Sequence, residues 1–299
     1  MSSKEGTPAM RRLAIALALI IIPTAIASAH ENFSVNGEDC FAHNFRWNDE
    51  RGFVAQETID GRGLRSIKAS VTHAPVSVIG DSSRGYSIDV CKAAARAEDL
   101  DAIRVTLDGD ELRATGPGHK RWTVLYRIHV PRNAEVEIDA RNGPVSFKDV
   151  DGKVVARSAN GPLSLRNVSG NIDAVTTNGP ISVRGGSGTV KVSASNGPLS
   201  IHLDGNSWLG GTLNASTKNG PLSVKIPRGY NSGVVVESKG HGPWTCHAEG
   251  CEQQRASRRA ADDDDHWHRH GRARRVELGN GRADVHLSTV NGPVTIKDE

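Results

Sequence analysis

The triplet Asn-Gly-Pro recurs at a nearly fixed interval, and this repeat constrains the fold more than any other feature of the chain. It starts at six asparagines: Asn142, Asn160, Asn178, Asn196, Asn219 and Asn291. The first four are 18 residues apart, and each triplet is followed by an apolar residue, Ser or Thr, and a second apolar residue. A fixed period in this range is typical of architectures in which each repeat stacks on its neighbours.

Each period contains two segments that alternate between apolar and polar residues. Val145 and Phe147 face one side of the first segment, while Ser146 and Lys148 face the other. The second segment predicts two inward columns in chain order: Val154, Ile172, Val190, Leu213 and Val234, and Ala156, Ala174, Val192, Ala215 and Val236. The sequence therefore predicts an all-β chain, wound as a flattened β-solenoid with about 18 residues and two short strands per coil.

The turn residues of the repeat fit tight corners. Asn and Gly tolerate the left-handed backbone region, and Pro is acceptable at the first residue of a strand. Asparagines stacked at equivalent corners can form an amide ladder along the axis. We therefore predict that the six repeat asparagines form a structural turn ladder.

The N-terminus has the pattern of a secretory signal peptide. Arg11 and Arg12 precede the apolar run Leu13–Ile22, and Ala27-Ser28-Ala29 is a cleavage pattern. The alternative, a membrane anchor, is disfavoured because the run is shorter than the roughly 20 residues that a span needs. We expect residues 1–29 to be removed and the mature chain to be periplasmic, extracellular or associated with the cell envelope, without a transmembrane span.

Composition and patterning divide the mature chain into five segments. Residues 30–65 hold four of the five Phe side chains together with Trp47 and are expected to cap the coils, with docking of a partner as the alternative. Residues 66–141 are predicted as less regular β structure continuous with the solenoid, with a short helix around Cys91–Leu100. The regular repeats occupy residues 142–247, a charged insertion residues 248–272, and a final coil residues 273–299.

Four cysteines remain after cleavage, and an even number in an exported chain favours disulfides. Proximity in sequence favours Cys246–Cys251, which leaves Cys40 and Cys91 as the second pair. A Cys/His metal site with His241 and His247 is the alternative, but paired Cys-x-x-Cys spacing is absent. Sequence alone leaves the connectivity open.

The chain resembles the bacterial putative-adhesin family of exported β-strand-repeat proteins. The residues that carry the resemblance are the segments Tyr126–Pro131 and Ala134–Ile138, together with the Asn-Gly repeats and their apolar-Ser/Thr-apolar continuation. It covers roughly residues 65–299. The resemblance implies a β-solenoid at the cell envelope and brings no catalytic residues, since the family's function is unknown.

Each regular repeat places a hydroxyl and a basic group on one outer face. The hydroxyls are Ser146, Ser164, Ser182, Ser200, Ser223 and Thr295, and the basic groups are Lys148, Arg166, Arg184, His202, Lys225 and Lys297. The second strand has no such column, because Val155, Asp173, Lys191, Asn214 and Val235 occupy its equivalent sites. This pattern predicts a stripe that binds an anionic polysaccharide or another envelope polymer. The alternative is that duplicated repeats keep basic residues for solubility and edge protection.

The charged insertion offers a second candidate site. Its candidate metal ligands are Asp264, Asp265, His266, His268 and His270. Carboxylates and imidazoles bind transition metals, but the spacing matches no defined site, and a solvated loop is the alternative.

Other classes of function find little support in the sequence. The formal net charge of +3 does not favour specific nucleic-acid binding. No dinucleotide, phosphate-loop or metalloprotease motif occurs, so we expect no cofactor. A non-enzymatic scaffold or adhesin-like binding module is the favoured interpretation. A β-helix polysaccharide-degrading enzyme and a ligand-free structural spacer are the alternatives.

Overall fold

The computed structural model describes residues 46–47, 50–118, 121–240, 242–251, 274–279 and 281–299. Within these ranges the chain is all-β, as predicted, with one four-residue helix, α1 (Ala97–Leu100). The strands that precede the regular repeats are β1 (Arg46–Trp47), β2 (Glu50–Arg51), β3 (Phe53–Gly61), β4 (Ser66–His73), β5 (Val76–Asp81), β6 (Tyr86–Ala94), β7 (Arg104–Asp108), β8 (Glu111–Thr115) and β9 (Trp122–Pro131). Those of the first repeats are β10 (Glu135–Asn142), β11 (Val145–Lys148), β12 (Asp151–Asn160), β13 (Leu163–Arg166), β14 (Ser169–Asn178), β15 (Ile181–Gly185), β16 (Thr189–Asn196) and β17 (Leu199–Leu203). The remaining strands are β18 (Leu213–Asn219), β19 (Leu222–Ile226), β20 (Gly233–Ser238), β21 (Trp244–Cys246), β22 (Arg274–Leu278), β23 (Ala283–Asn291) and β24 (Val294–Asp298).

Two 11-stranded sheets account for nearly all of these strands. Sheet I has the order β22-β20-β23-β18-β16-β14-β12-β10-β4-β8-β7, and sheet II has the order β21-β24-β19-β17-β15-β13-β11-β5-β9-β6-β3. From β10 to β19 the chain alternates between the two sheets, and each strand pairs in parallel with the equivalent strand of the next repeat. Equal offsets in sequence therefore become straight rows across a sheet.

The alternation of each strand separates a core face from an outer face. On β12 to β16, Val154, Ile172 and Val190 are at most 1% exposed, and on β11 to β15, Val145, Leu163 and Ile181 are at most 2% exposed. These residues bury apolar area in every repeat, which is the main stabilising contribution in a sheet whose other face meets solvent. The neighbouring residues of each strand remain on the outer face.

The last coil does not occupy the place that chain order predicts. Val285 pairs with Leu213 on one side and with Val234 on the other, so β23 lies between β18 and β20. Likewise β24 lies between β19 and β21. The predicted neighbours Leu213 and Val234 are therefore separated by Val285, and the expected adjacency was wrong. The motif explains the order, because Asn291 continues the asparagine ladder, whereas the degenerate copy at residues 241–243 has no asparagine.

The opposite end of the two sheets is interleaved in the same way. Strands β4 and β5 come before β8 and β9 in sequence, yet they lie between β8/β9 and β10/β11. Ile67 pairs with Val136, and Val76 pairs with both Val145 and Tyr126. At each end, the strands that lie next to the regular repeats are therefore not the strands nearest to them in the chain. They are β4 and β5 at one end, and β23 and β24 at the other.

The helix predicted around Cys91–Leu100 is confined to α1, so its first residues were assigned wrongly. Residues 91–94 instead continue β6, which pairs antiparallel with both β3 and β9. The alternating pattern that begins at Tyr86 extends to Ala94, and pairing on both sides outweighs the helical preference of its alanines.

Part of the predicted cap lies outside the described residues, including Phe33, Phe41 and Phe45. The described part places Phe53 on β3, the end strand of sheet II, where it is 41% exposed. The signal peptide also lies outside the described residues. Within the described ranges, no helix has both the length and the apolar character needed to cross a bilayer.

Candidate functional site

The six basic residues of the predicted stripe form one continuous row on the outer face of sheet II, called here the cationic row. Lys148 pairs with Arg166, which pairs with Arg184. His202 pairs with Arg184 and Lys225, and Lys225 pairs with Lys297. Because adjacent strands are about 4.8 Å apart, the row spans roughly 24 Å. In chain order the segment that contains β21 would lie between Lys225 and Lys297, and the interleaved last coil makes them direct neighbours.

A row of hydroxyls runs beside the cationic row, two residues earlier on every strand. Ser146, Ser164, Ser182, Ser200, Ser223 and Thr295 pair in that order. The structure extends this row with Thr245 at one end and Ser77 at the other, and Ser77 lies 3.2 Å from Ser146 between their hydroxyl oxygens. Because residues i and i+2 of a strand share a face, the hydroxyls and the cations face the same solvent.

Some cations of the row are balanced by nearby carboxylates. Lys148 Nζ lies 3.9 Å from an oxygen of Asp149, and Arg184 Nε lies 3.2 Å from Asp204. Among the described residues, no ion pair is formed by Arg166, Lys225 or Lys297. The row therefore keeps a positive charge on both sides of its only histidine.

The outer face of sheet I differs in its charge pattern. Glu137, Val155, Asp173 and Lys191 follow one another across its strands. Lys153 Nζ lies 2.5 Å from Glu135, and Arg157 lies 3.2 Å from Glu137. Hydrogen bonding to Glu135 raises the pKa of Lys153. Charges on this face are of both signs, and some of them are paired, so among the described strands a cationic row is a property of sheet II.

The last coil also changes the outer column of sheet I. His286 lies between Asn214 and Val235, which chain order predicted as neighbours. His286 is exposed and is the only histidine among the described residues of this column.

The repeat asparagines form a hydrogen-bonded ladder at the corner between the sheets. The amide of Asn160 donates to Asn142 over 3.1 Å, and Asn178 donates to Asn160 over 2.9 Å. The ladder continues through Asn196 and Asn219, and ends with Asn291 donating to Asn219 over 2.9 Å. Each amide from Asn160 onward donates to its equivalent in the adjacent repeat, and Asn142 donates to the carbonyl of Thr72, which fits a structural role.

A disulfide joins Cys246 to Cys251, the pair that sequence proximity favours. Cys91 is buried in β6 and is disulfide-bonded, and Cys40, the partner predicted for it, lies outside the described residues. The predicted metal ligands Asp264, Asp265, His266, His268 and His270 also lie outside the described residues.

One cluster of metal-binding side chains was missed by sequence reasoning. His202, Asp204 and Glu299 bring their ligand atoms within 4.8 Å of one another at the middle of the cationic row. His202 and Asp204 are close in sequence, but Glu299 is 97 residues from His202 and reaches it only because β24 lies beside β19. No spacing in the sequence signals this contact.

A cleft of about 750 Å³ opens between the sheets near β4 and β9. Its lining includes His73, Trp122 and Arg141. The indole nitrogen of Trp122 donates to the carbonyl of Pro117 over 3.0 Å, which fixes the ring against the wall. The cleft lies at the irregular end of the sheets, away from the middle of the cationic row.

Comparisons with known proteins give weak similarities. No family model matches the chain, and no curated protein matches it. Among solved structures, a putative cell adhesion protein from Clostridium sporogenes is 11% identical, with 83% of this chain and 100% of that chain aligned at a TM-score of 0.29. A putative adhesin from Bacteroides fragilis is 9% identical, with 83% and 97% aligned at a TM-score of 0.36. A putative adhesin from Parabacteroides distasonis is 10% identical, with 83% and 98% aligned at a TM-score of 0.31.

These neighbours bear the description of the family that the repeat motifs resemble. Their TM-scores are too low to establish a common fold. The function proposed below therefore rests on the residues of this chain.

Proposed function

We propose that this chain is an exported, non-enzymatic binding module of the cell envelope, which binds a linear anionic polymer along the cationic row. In this proposal the two sheets are the walls of a flattened β-solenoid, made of the regular repeats 142–247 and the final coil 273–299. The observation that carries the proposal is the unbroken row of basic side chains on sheet II beside a row of hydroxyls.

The cost of stacking like charges supports a role for the row. Like charges on directly paired strands are destabilising by roughly 0.2–1 kcal/mol per pair. On sheet I the equivalent strands avoid this cost, since acidic residues such as Glu135 and Glu137 neutralise their basic neighbours. On sheet II a bound polyanion would neutralise Arg166, Lys225 and Lys297.

The geometry of the row suits an extended chain more than a compact ligand. Charged groups recur at about 4.8 Å over six strands, a spacing comparable to one sugar ring of a polysaccharide. Guanidinium and ammonium groups bind carboxylates and phosphates, and the adjacent serines can bond to hydroxyl groups. Each contact is weak at an exposed site, so affinity would come from many contacts along one chain.

Binding of polygalacturonate, a linear acidic polysaccharide, tests the proposal. We expect the full chain to bind it, and the affinity to fall when salt is raised from 50 to 300 mM, because the contacts are exposed and screened. We expect Arg166→Glu with Lys225→Glu to weaken binding by about tenfold or more, since two attractive contacts become repulsive. The matched control is Lys191→Glu with Lys218→Glu, which makes the same charge change on exposed residues of sheet I.

The outcomes of this experiment are distinct. Equal losses in both double variants would show that only net charge matters and would overturn the assignment to sheet II. Absence of binding to polygalacturonate and to lipopolysaccharide at low salt would favour a ligand-free spacer. Shortening of polygalacturonate by the purified protein would overturn the non-enzymatic assignment in favour of a polysaccharide-degrading enzyme.

A further inference from the structure

We infer that His202, Asp204 and Glu299 form a binding site for Zn²⁺. This inference does not depend on the binding of a polymer. It rests on one imidazole and two carboxylates whose ligand atoms lie within 4.8 Å of one another. Imidazole and carboxylate groups are the usual nitrogen and oxygen ligands of zinc.

The distances inside the cluster are close to those of a coordination shell. His202 Nε2 lies 3.7 Å from Asp204 Oδ1 and contacts Glu299 Oε2 directly. Zinc bonds of about 2.0–2.2 Å hold neighbouring ligand atoms of a tetrahedral shell roughly 3.4 Å apart. A small outward movement of Glu299, whose side chain is 48% exposed, would make room for the ion.

The backbone fixes the positions of the two carboxylate residues. The amide of Asp204 donates to the carbonyl of Gly185 over 3.0 Å, and the amide of Glu299 donates to the carbonyl of Ile226 over 3.0 Å. His202 is on β17 with its side chain only 17% exposed. All three ligands are therefore attached to hydrogen-bonded backbone, which limits the conformational entropy lost when a metal binds.

Arg184 contacts Asp204, one of the three candidate ligands. Its Nε lies 3.2 and 3.3 Å from the two carboxylate oxygens of Asp204. Partners of this kind orient a ligating carboxylate in metal sites. The positive charge of Arg184 also neutralises part of the negative charge of Asp204. We therefore expect the site to bind zinc less tightly than the same three ligands would without Arg184.

The proton balance of binding follows from the ligands. When Nε2 of His202 carries a hydrogen, it can donate that hydrogen to Glu299 Oε2. Zinc binds neutral imidazole through the bare Nε2, so it replaces that hydrogen, which moves to Nδ1 or is released. The two carboxylates balance the +2 charge of the ion, and His202 binds as a neutral ligand. A fourth coordination position stays open to solvent.

Titration calorimetry of the full chain with ZnCl₂ tests this inference. The insertion carries its own candidate ligands, so the reference protein has Asp264→Asn, Asp265→Asn, His266→Asn, His268→Asn and His270→Asn. We expect this protein to bind one Zn²⁺, and to bind no Mg²⁺, which prefers an octahedral shell of oxygens. Saturating zinc is also expected to raise Tm, because the ion binds only the folded arrangement of ligands.

Variants of the ligands separate this site from others. We expect His202→Ala and Glu299→Gln to weaken zinc binding by about tenfold or more, whereas His286→Ala on the outer face of sheet I leaves it unchanged. Glu299→Gln keeps the shape of an exposed side chain, so it tests the site even when His202→Ala lowers the stability of the fold. Cobalt in place of zinc gives a visible absorption band in the reference protein that both variants should lose.

Two results would overturn the inference. One is the absence of saturable zinc binding in the reference protein. The other is zinc binding that is equally strong in the reference protein and in Glu299→Gln. Neither result bears on the binding of polygalacturonate, since Arg166 and Lys225 are outside the cluster.

Discussion

The side-chain amide of Asn291 donates to the side-chain oxygen of Asn219 over 2.9 Å, although 72 residues separate the two in sequence. This bond places the last Asn-Gly-Pro triplet directly on the coil that contains β18 and β19. The segment that follows this coil in the chain, β20 and β21, is displaced outward by one coil. The cationic row, the asparagine ladder and the His202 cluster all depend on this interleaved order.

Disulfide cross-linking tests the interleaved order directly. Asn214 and His286 are paired on adjacent strands, so Asn214→Cys with His286→Cys is expected to form a disulfide. Asn214→Cys with Val235→Cys is expected to stay reduced, because β23 lies between them and places them about 9.6 Å apart. Mass spectrometry of the non-reduced proteins distinguishes the two. Cross-linking of the second pair would show that the coils follow chain order.

The asparagine ladder is expected to contribute to stability. Asn178 donates to Asn160 over 2.9 Å and accepts from Asn196 over 3.0 Å. Asn178→Ala removes both bonds at an exposed site, where each is worth about 0.5–1.5 kcal/mol. We expect the free energy of unfolding in urea to fall by about 1–3 kcal/mol. Thr177→Ala, at the exposed position before it, is the control and should change it by less than about 0.5 kcal/mol.

Close stacking of the corners predicts that Gly179 cannot be replaced by a larger residue. A Cβ atom at Gly179 would collide with the backbone carbonyl oxygen of Gly161 in the adjacent repeat. Because this obstacle is backbone, relief requires that the two repeats move apart. We expect Gly179→Ala to lower the free energy of unfolding by about 1–3 kcal/mol.

Gly63→Ala is the matched control for Gly179→Ala. A Cβ atom at Gly63 meets no atom within 4 Å, and its φ is not in the left-handed region. We expect no loss of stability from this change. Equal effects of the two substitutions in the same urea titration would mean that the corners are not in close contact.

Stability is expected to fall at alkaline pH because the three tyrosines of the chain are buried. Tyr86, Tyr126 and Tyr230 are at most 4% exposed. Burial is the main cause that raises the pKa of each phenol, and nearby acidic residues add to it. The folded state therefore keeps these groups neutral above pH 10, where the unfolded chain ionises them.

The sign of the effect follows from these shifts. The stability that the tyrosines contribute is complete below about pH 10, the unfolded pKa, and is lost as the pH rises toward the folded pKa values. We expect phenolate absorbance to appear late and together with the loss of the circular dichroism signal. Tyr126→Phe with Tyr230→Phe should reduce this alkaline loss. Titration of all three tyrosines near pH 10 in the folded protein would contradict the prediction.

The sequence predicted the all-β class and the register of the regular repeats, because their pattern is local and repeated. Within one period, alternation decides which side chains face the core, as for Val145 and Phe147. Between periods, a constant spacing of 18 residues decides that Ser164 pairs with Ser182. Both rules need only nearby residues, so the cationic and hydroxyl rows could be assigned residue by residue.

The order of the coils at the two ends was decided only by tertiary structure. Val234 and Val285 are both apolar, and either could follow Leu213 in the core column, so apolar alternation alone cannot choose between them. The choice depends on which segment best completes the asparagine ladder and the core together, a sum over contacts between residues far apart in sequence. The contact between Glu299 and His202 follows from the same order of strands, because β24 lies beside β19. The local pattern thus determined where the strands lie in the sequence and which of their side chains face the core. Competition among similar strands determined which strand lies beside which.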